Sequence, residues 1–293
     1  MEAQIVHSDH QRVRRFSVRE DAEPATVIGS AGISDKGKFH YSITEGDGSV
    51  HFGIDSSSGD IYINQPLDYE SAVQYLLVVR AEDVGLAPGV NVSVLVSVTV
   101  EDVNDHTPWF PDKLVMFGLR EDVPAGSLAF AFNARDADGT FPNSALRYSL
   151  TFDPGHSASS SRFPFQINPH TGSLTVAAPL DRETTPNFAF TVTATDQAKR
   201  KDERKQTSVT AQVFLLDVND NRPVFISADT VQVMEDAEVG SLLHHFVAID
   251  GDQGENGVVS YVIMAGNKKG FFTLEEKTGR IWFILKIFQS NKK

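Results

Sequence analysis

The sequence predicts an all-β protein built of tandem antiparallel β-sandwiches. Segments that alternate apolar and polar residues and are rich in Val, Thr and Phe recur along the 293 residues, and no long helical pattern interrupts them. Short acidic motifs return at a spacing of 113 to 115 residues. Each complete period holds about seven strand-like segments with turn signals between them, which favours a sandwich over a barrel or a parallel sheet.

The clearest strand predictions come from four long alternating segments. In chain order these are QYLLVVRA at 74–81, NVSVLVSVTV at 91–100, FAFTVTAT at 188–195 and QTSVTAQVFLL at 206–216. Glycine-containing turn signals such as SSSGD, NPHTG and EKTGR lie between the shorter segments. Because side chains alternate across a strand, each segment is expected to bury one face and expose the other.

Five acidic motifs define the repeat. A head glutamate recurs in VREDAEPATVIGS, LREDVPAGSLAF and VMEDAEVGSLLH, as Glu20, Glu121 and Glu235. The other four motifs recur as LDYE at 67–70 and LDRE at 180–183, RAED at 80–83 and TATD at 193–196, DVND at 102–105 and 217–220, and DAD at 136–138 and DGD at 250–252. We therefore predict three units, at residues 1–105, 106–220 and 221–293, with the third lacking its last two strands.

Composition excludes several classes of protein. Acidic residues outnumber basic ones by 39 to 26, and the net charge of -13 argues against a nucleic-acid-binding surface. The chain has no cysteine, so disulfides, thiolate catalysis and cysteine zinc sites are excluded. No G-x-S-x-G, H-E-x-x-H or phosphate-loop motif occurs, so no enzymatic activity is expected. The start has no apolar signal core, and the longest aliphatic run, Val92 to Val100, is too short to span a bilayer.

The DVND motif indicates a cation site between units. Hard cations prefer several oxygen ligands, which carboxylates, Asn side chains and backbone carbonyls supply. Each DVND follows the last strand of one unit and precedes the next unit, where loops of both neighbours converge. Two like charges about 4 Å apart repel by roughly 4 kcal/mol at an effective dielectric constant near 20, so such a cluster needs a counter-charge.

These motifs, in this order, resemble those of the cadherin family. The resemblance covers nearly the whole chain and extends to long cadherins of the Fat, Dachsous or protocadherin kind. It implies tandem Ig-like Greek-key β-sandwiches joined by calcium-binding linkers. For the first linker, the ligands it implies are Glu20, Asp68, Glu70, Asp102, the Val103 carbonyl, Asn104, Asp105, the His106 carbonyl, Asp136, Asp138, Asp196 and the Asn143 carbonyl.

The resemblance implies a similar ligand set for the second linker. These residues are Glu121, Asp181, Glu183, Asp217, Val218, Asn219, Asp220, Asn221, Asp250, Asp252 and Asn256. The two sets hold eight and seven of the 39 acidic residues, so they account for most of the excess negative charge. The first unit lacks the Asp-x-Asp loop and keeps only Asp35 there, so its upper end is not expected to bind calcium well.

The function implied by the resemblance is a calcium-dependent cell-cell adhesion or recognition segment. Its partner would be a cadherin-type protein, homophilic or heterophilic. The chain would lie at the extracellular face of the plasma membrane as part of a larger membrane-anchored protein, or it would be a secreted fragment. The alternatives are a passive, calcium-stiffened extracellular spacer and a bacterial calcium-binding sandwich adhesin. Asn91-Val92-Ser93 is a glycosylation sequon, which an extracellular location would make available.

Overall fold

The computed structural model describes residues 13–32, 39–84, 91–152, 163–234 and 236–284. Asp35 and Glu235 lie outside the described residues. The described residues form strands and turns, with one helical turn of the 3-10 type at Lys201–Glu203. The all-β prediction is therefore confirmed.

The first unit is a sandwich of two sheets. Its strands are β1 Val13–Arg19, β2 Val27–Ser30, β3 Phe39–Glu45, β4 Phe52–Ile54, β5 Asp60–Ile63, β6 Gln74–Asp83 and β7 Asn91–Glu101. One sheet has the order β1-β7-β6-β3 and the other has the order β2-β5-β4. Strand β1 runs parallel to β7, whereas the remaining neighbours in this unit are antiparallel.

The second unit repeats this arrangement. Its strands are β8 Leu114–Arg120, β9 Leu128–Ala131, β10 Leu146–Thr151, β11 Phe165–Ile167, β12 Ser173–Val176, β13 Asn187–Asp196 and β14 Gln206–Leu216. The sheets have the orders β10-β13-β14-β8 and β11-β12-β9, and β8 pairs in parallel with β14. The same strand order in both units is the Ig-like Greek-key sandwich that the sequence predicted.

Apolar side chains from both sheets fill the two sandwich cores. In β6, Leu77 and Val79 are completely buried and their neighbours face outward, as the alternating sequence requires. Strand β13 repeats the pattern, and its Phe188 and Phe190 pack with Phe165 in the second core. Burial of this apolar surface stabilises each unit from within, independently of the linkers.

The third unit is described as a smaller structure. Its strands are β15 Val224–Phe225, β16 Leu242–His245, β17 Ala248–Ile249, β18 Phe272–Leu274 and β19 Arg280–Phe283. The sheet β16-β19-β18 matches β2-β5-β4 and β9-β12-β11, and β15 pairs with β17. Within the described part of this unit no four-stranded sheet forms, and an apolar cleft of about 380 Å³ opens beside Phe225, Phe246 and Tyr261.

Candidate metal centres at the two linkers

A buried head glutamate connects each linker to the unit that precedes it. Glu20 follows β1 and is 6% exposed. Its carboxylate accepts hydrogen bonds from the backbone N–H of Tyr69 at 2.6 Å and of Val103 at 2.7 Å. These three residues are far apart in the sequence. Their hydrogen bonds hold the Leu-Asp-x-Glu loop and the linker next to the head glutamate.

The second unit repeats this contact at its own head glutamate. Glu121 is 4% exposed and accepts hydrogen bonds from the backbone N–H of Arg182 at 2.7 Å and of Val218 at 2.9 Å. The same backbone scaffold therefore precedes both linkers.

The Leu-Asp-x-Glu loop brings further acidic side chains to each head glutamate. Carboxylate oxygens of Glu20, Asp68 and Glu70 lie within 4.8 Å of one another. The Ser71 hydroxyl donates to Asp68 at 2.6 Å and lowers the pKa of that carboxyl, whereas burial raises the pKa of Glu70. At the second linker, oxygens of Glu121, of Glu183 from the same loop and of the linker residue Asp217 lie within 4.8 Å of one another.

Asp181 is the counterpart of Asp68 at the second linker. Its carboxylate accepts from the backbone N–H of Thr184 at 3.0 Å and from the Thr184 hydroxyl at 2.6 Å. The Thr184 hydroxyl is the main cause that lowers the pKa of Asp181. These bonds orient the carboxylate before any cation binds.

The first linker aspartate reaches across to the following unit. Asp102 accepts hydrogen bonds from the backbone N–H of Thr140 at 3.0 Å, from the Thr140 hydroxyl, and from the Asn143 side chain at 3.1 Å. Asp217 accepts equivalent bonds from the Gln253 backbone at 3.0 Å and the Asn256 side chain at 2.9 Å. Asn143 and Asn256 thus occupy equivalent places, although Asn143 sits one residue further from its Asp-x-Asp motif.

The second aspartate of each Asp-x-Asp motif is buried beneath the linker. Asp138 is 3% exposed and accepts from the backbone N–H of His106 at 3.0 Å. Asp252 is 7% exposed and accepts from the backbone N–H of Asn221 at 3.3 Å and from the Asn221 side chain at 2.7 Å. Both aspartates donate their backbone N–H to the first aspartate of the motif, Asp136 or Asp250.

The linker asparagines differ between the two sites. The Asn104 side chain donates to Asp196, which is completely buried, at 3.1 Å and to the Glu203 carbonyl at 2.8 Å. Asn219, the counterpart of Asn104, is exposed. The Val103 carbonyl accepts from the backbone N–H of Asp105 at 2.8 Å, which bends the first linker around its candidate ligands.

Several buried oxygens in these groups lack a hydrogen-bond donor. Among the described residues, Asn104 Oδ1, Asp136 Oδ2, Asp138 Oδ2 and Asp252 Oδ2 are buried without a partner. An uncompensated buried polar atom costs about 1–3 kcal/mol, so native proteins rarely leave several together. All four atoms are hard oxygen donors, and the donor set therefore fits a hard divalent cation such as Ca²⁺.

Burial and the closeness of several carboxylates raise the pKa of acidic groups at both linkers. Burial raises the pKa of Asp138, and the charges of Asp136 and Asp102 raise it further. Burial likewise raises the pKa of Glu183, and Glu121 adds to the effect. A bound cation would reverse this cost, because it favours the ionised carboxylates.

Two side chains at the linkers were not identified as functional from the sequence. Arg182 Nη2 lies 2.6 Å from Asp217 Oδ1 and also contacts Glu183, so a guanidinium sits within the second acidic group. At the first linker the imidazole of His106, a residue expected to act through its carbonyl, lies among Asp105, Asp138 and Glu70. The spacing of motifs in the sequence does not show which way a side chain points. The only feature of the sequence that marked these two residues was that each differs from its counterpart in the other linker.

Comparisons with known proteins match the same three units. The cadherin domain model matches residues 14–101, 116–214 and 229–287. Human protocadherin-23 is 41% identical over 276 residues, which are 92% of this chain and 8% of that protein. Cadherin EGF LAG seven-pass G-type receptor 3 of Rattus norvegicus is 37% identical over 268 residues, which are 89% of this chain and 8% of that protein. The chain thus spans less than a tenth of each of these relatives.

A solved structure matches the whole arrangement. The crystal structure of mouse cadherin-23 EC22-24 aligns with a TM-score of 0.74 at 27% identity, covering 96% of this chain and 87% of that one. Proteins built of such repeats serve extracellular adhesion or recognition, generally bind Ca²⁺ and are not enzymes. With its three matched segments and its repeated sandwich, the chain belongs to the cadherin family.

Proposed function

We propose that both linkers bind Ca²⁺ and that the bound ions hold successive repeats in a defined orientation. The observation that carries this proposal is the presence of buried, unpartnered oxygens at both junctions: Asn104 Oδ1, Asp136 Oδ2 and Asp138 Oδ2 at the first, and Asp252 Oδ2, the counterpart of Asp138 Oδ2, at the second. Calcium accepts six to eight such oxygens with flexible geometry. No helix in the described ranges is long and apolar enough to cross a membrane.

The proposed ligands are those implied by the repeat motifs. At the first linker they are Glu20, Asp68, Glu70, Asp102, Val103, Asn104, Asp105, His106, Asp136, Asp138, Asn143 and Asp196, with Val103, His106 and Asn143 acting through their carbonyls. At the second linker they are Glu121, Asp181, Glu183, Asp217, Val218, Asn219, Asp220, Asn221, Asp250, Asp252 and Asn256. The proposed unit boundaries follow the linkers, at residues 1–105, 106–220 and 221–293.

The chain would then act as a calcium-dependent adhesion or recognition segment. Its location would be the extracellular face of the plasma membrane, as part of a longer membrane-anchored protein, and its partner a cadherin-type protein, homophilic or heterophilic. Relatives support this placement, since one is by name a seven-pass receptor. Asn91, exposed at the start of β7, is the proposed glycosylation site, and a mass loss on enzymatic deglycosylation that Ser93→Ala abolishes would test it.

Calcium titration by calorimetry tests the metal assignment. The double variant Asp138→Asn, Asp252→Asn keeps side-chain shape but removes one carboxylate from each linker, so affinity should fall by about tenfold or more. Asp55→Asn is the control, because Asp55 is exposed in the turn between β4 and β5 and caps that turn locally. Absence of calcium binding by the native chain at millimolar concentration would overturn the proposal.

Sedimentation equilibrium with calcium and with chelator separates adhesion from a passive spacer. Self-association in calcium that chelator reverses would support homophilic adhesion. A monomer in both conditions leaves a heterophilic partner or a spacer, and binding to cadherin ectodomains would distinguish these two. Association that chelator does not change would contradict the proposed calcium dependence.

A further inference from the structure

We infer that the first linker also binds Zn²⁺ or a similar transition-metal ion, with the imidazole of His106 as a nitrogen ligand, and that the second linker does not. This inference goes beyond the proposed calcium function. Imidazole suits zinc, copper and nickel, whereas an all-oxygen site suits calcium and magnesium. A histidine within a carboxylate cluster therefore changes the class of metal that the cluster can hold.

The distances around His106 suit a four-coordinate ion. Its Nδ1 atom lies 2.7 Å from Asp105 Oδ1, 3.2 Å from Asp138 Oδ1 and 4.0 Å from Glu70 Oε2. Zinc bound tetrahedrally at about 2.0–2.1 Å holds its ligand atoms roughly 3.3 Å apart. The 3.2 Å separation between Nδ1 and Asp138 Oδ1 is close to this value, and Glu70, His106 and Asp138 offer three ligand atoms that lie within 4.8 Å of one another.

A buried carboxylate oxygen provides a second, independent indication of a ligand. The Asp138 side chain has 0% exposure, and its Oδ2 has no hydrogen-bond partner among the described residues. Ligand atoms of Asp138, Glu70 and His106 lie within 4.8 Å of one another. Asp138 Oδ1 accepts from the His106 backbone N–H, so Oδ2 is the buried carboxylate oxygen of this cluster without a donor, and the half-exposed imidazole lies over the same carboxylate.

The second linker is a built-in comparison. Asn221 stands where His106 stands, and its side-chain nitrogen donates to Asp252 at 2.7 Å and to Asp220 at 3.1 Å. An amide nitrogen is a hydrogen-bond donor and offers no lone pair to a metal. The corresponding cluster, Glu183, Asp220 and Asp252, contains carboxylates alone. The nitrogen donor is therefore particular to the first linker.

Zinc and calcium would compete at the first linker. Glu70 and Asp138 belong to the proposed calcium ligands and also to the cluster around His106. A tetrahedral ion uses four ligands, fewer than calcium requires, and it would leave the remaining acidic groups of that linker without a cation. Zinc should therefore reduce calcium binding at the first linker and leave the second linker unaffected.

The test is calorimetric titration of the full chain with ZnCl₂ in calcium-free buffer, and with CaCl₂ in a separate arm. Two reciprocal variants exchange the linker residues, H106N and N221H. We expect H106N to lower the ratio of zinc affinity to calcium affinity by about tenfold or more, because it removes the imidazole nitrogen and keeps the backbone carbonyl. N221H should add a second zinc site.

The chain has nine histidines, so a residue-specific readout is also needed. Imidazole NMR signals that H106N removes identify His106, and these signals should shift first as zinc is added to the native chain. Equal zinc affinity in native and H106N chains would overturn the inference, as would a loss of calcium affinity in H106N as large as the loss of zinc affinity. The calcium arm is independent, so a failure of the proposed calcium function would appear there and leave the zinc result readable.

Discussion

The two head glutamates each serve as a backbone clamp. Glu121 uses both carboxylate oxygens to accept hydrogen bonds from Arg182 and Val218, and it lies almost completely buried. Asp122, the next residue, is exposed and pairs with Arg120 on the surface. Adjacent acidic residues of similar chemistry thus have different expected roles.

Substitution of Glu121 by Gln should destabilise the second unit even when calcium is absent. The amide keeps one acceptor oxygen but turns an N–H₂ group toward a backbone N–H, leaving a buried donor unsatisfied at a cost of about 1–3 kcal/mol. Thermal unfolding in chelator, followed by circular dichroism, would show a lower midpoint. The control Asp122→Asn removes only a surface pair and should leave the midpoint nearly unchanged. Equal midpoints for both variants would contradict a clamping role.

We expect the positively charged side chain of Arg182 to make calcium binding at the second linker weaker than it would be with an uncharged residue at this position. Hydrogen bonds from Asn256 and the Gln253 backbone lower the pKa of Asp217, and the Arg182 guanidinium, 2.6 Å from that carboxylate, lowers it further, so a cation already occupies part of the acidic group. The first linker has Tyr69 at the equivalent position. Replacing Arg182 by Tyr removes a positive charge that repels Ca²⁺ from this site. If that repulsion amounts to about 1 kcal/mol, the calcium affinity of the second linker should rise roughly fivefold.

The measurement is calcium titration of Arg182→Tyr against the native chain. Arg147→Tyr is the matched control, since it removes an exposed arginine of the same unit from β10. The prediction is wrong if both variants bind calcium alike.

At the scale of elements, four long strands carry the two described sandwiches. Strands β6 and β7 pair over nine residues, and β13 and β14 pair over nine as well. Their inward side chains form the centre of each core, including Phe190 on β13, which is 4% exposed and packs against Phe163 and Phe165. The stability of a unit therefore lies mainly in these strands.

Phe190→Ala should destabilise the second unit by about 3–5 kcal/mol, because it removes a buried ring and leaves a cavity. Phe214→Ala provides the comparison, since Phe214 lies on the neighbouring strand β14 but is 42% exposed. Urea unfolding monitored by circular dichroism, with calcium present throughout, measures both. Similar losses in the two variants would mean that the core is not centred on β13.

The long strands were predictable because their alternation is local. The segment QTSVTAQVFLL corresponds to β14, Gln206–Leu216, and NVSVLVSVTV to β7 without its last residue. Residues 258–264, VVSYVIM, are mostly apolar and alternate between exposed and half-buried, yet no strand forms there in the described residues. In the other two units the equivalent strands, β3 and β10, each pair with a long strand, β6 and β13. Strand formation depends on a partner, and alternation alone does not supply one.

The acidic residues of the candidate sites were predictable as a set, but their individual contacts were not. Asp102 and Thr140 are far apart in sequence, and the hydrogen bonds between them depend on how the Asp-x-Asp loop folds over the linker. The same limit applies to Asn104, whose side chain reaches the Glu203 carbonyl. Motif spacing predicts which carboxylates converge, whereas side-chain direction depends on the folded loops.

At the scale of the whole molecule, the proposed acidic ligands are concentrated at the junctions between the sandwiches, where no apolar core continues from one unit to the next. The proposed ligands hold fifteen of the 39 acidic residues, and they lie at the junctions between sandwiches whose cores are apolar and separate. Each junction consists mainly of a few linker residues with their hydrogen bonds to the following unit, and at the second junction Arg182 also contacts Gly251 and Gln253. Cation binding should therefore change how units are oriented and leave the folding of each unit largely intact.

Removal of calcium should broaden the distribution of angles between units without unfolding the first two. Unscreened carboxylates about 4 Å apart repel by roughly 4 kcal/mol at an effective dielectric constant near 20, which is enough to open a short linker. The sheets within each unit keep their backbone hydrogen bonds and apolar cores, which need no ion. Small-angle scattering should thus show a wider range of molecular dimensions in chelator than in millimolar calcium, while the far-ultraviolet circular dichroism stays the same.

Scattering in high salt and in magnesium would separate two causes of the wider angle distribution, carboxylate repulsion and the loss of calcium coordination. In chelator with about 1 M NaCl the Debye length falls to roughly 3 Å, so screening alone should restore part of the narrow distribution if repulsion drives the opening. Magnesium demands octahedral geometry and retains its waters, so it should restore less than calcium does at equal concentration. Scattering profiles that superimpose in calcium and in chelator would show that the hydrogen bonds that Asp102 and Asp217 accept from the following unit suffice to hold the units, and that the linker carboxylates are not an orienting metal site.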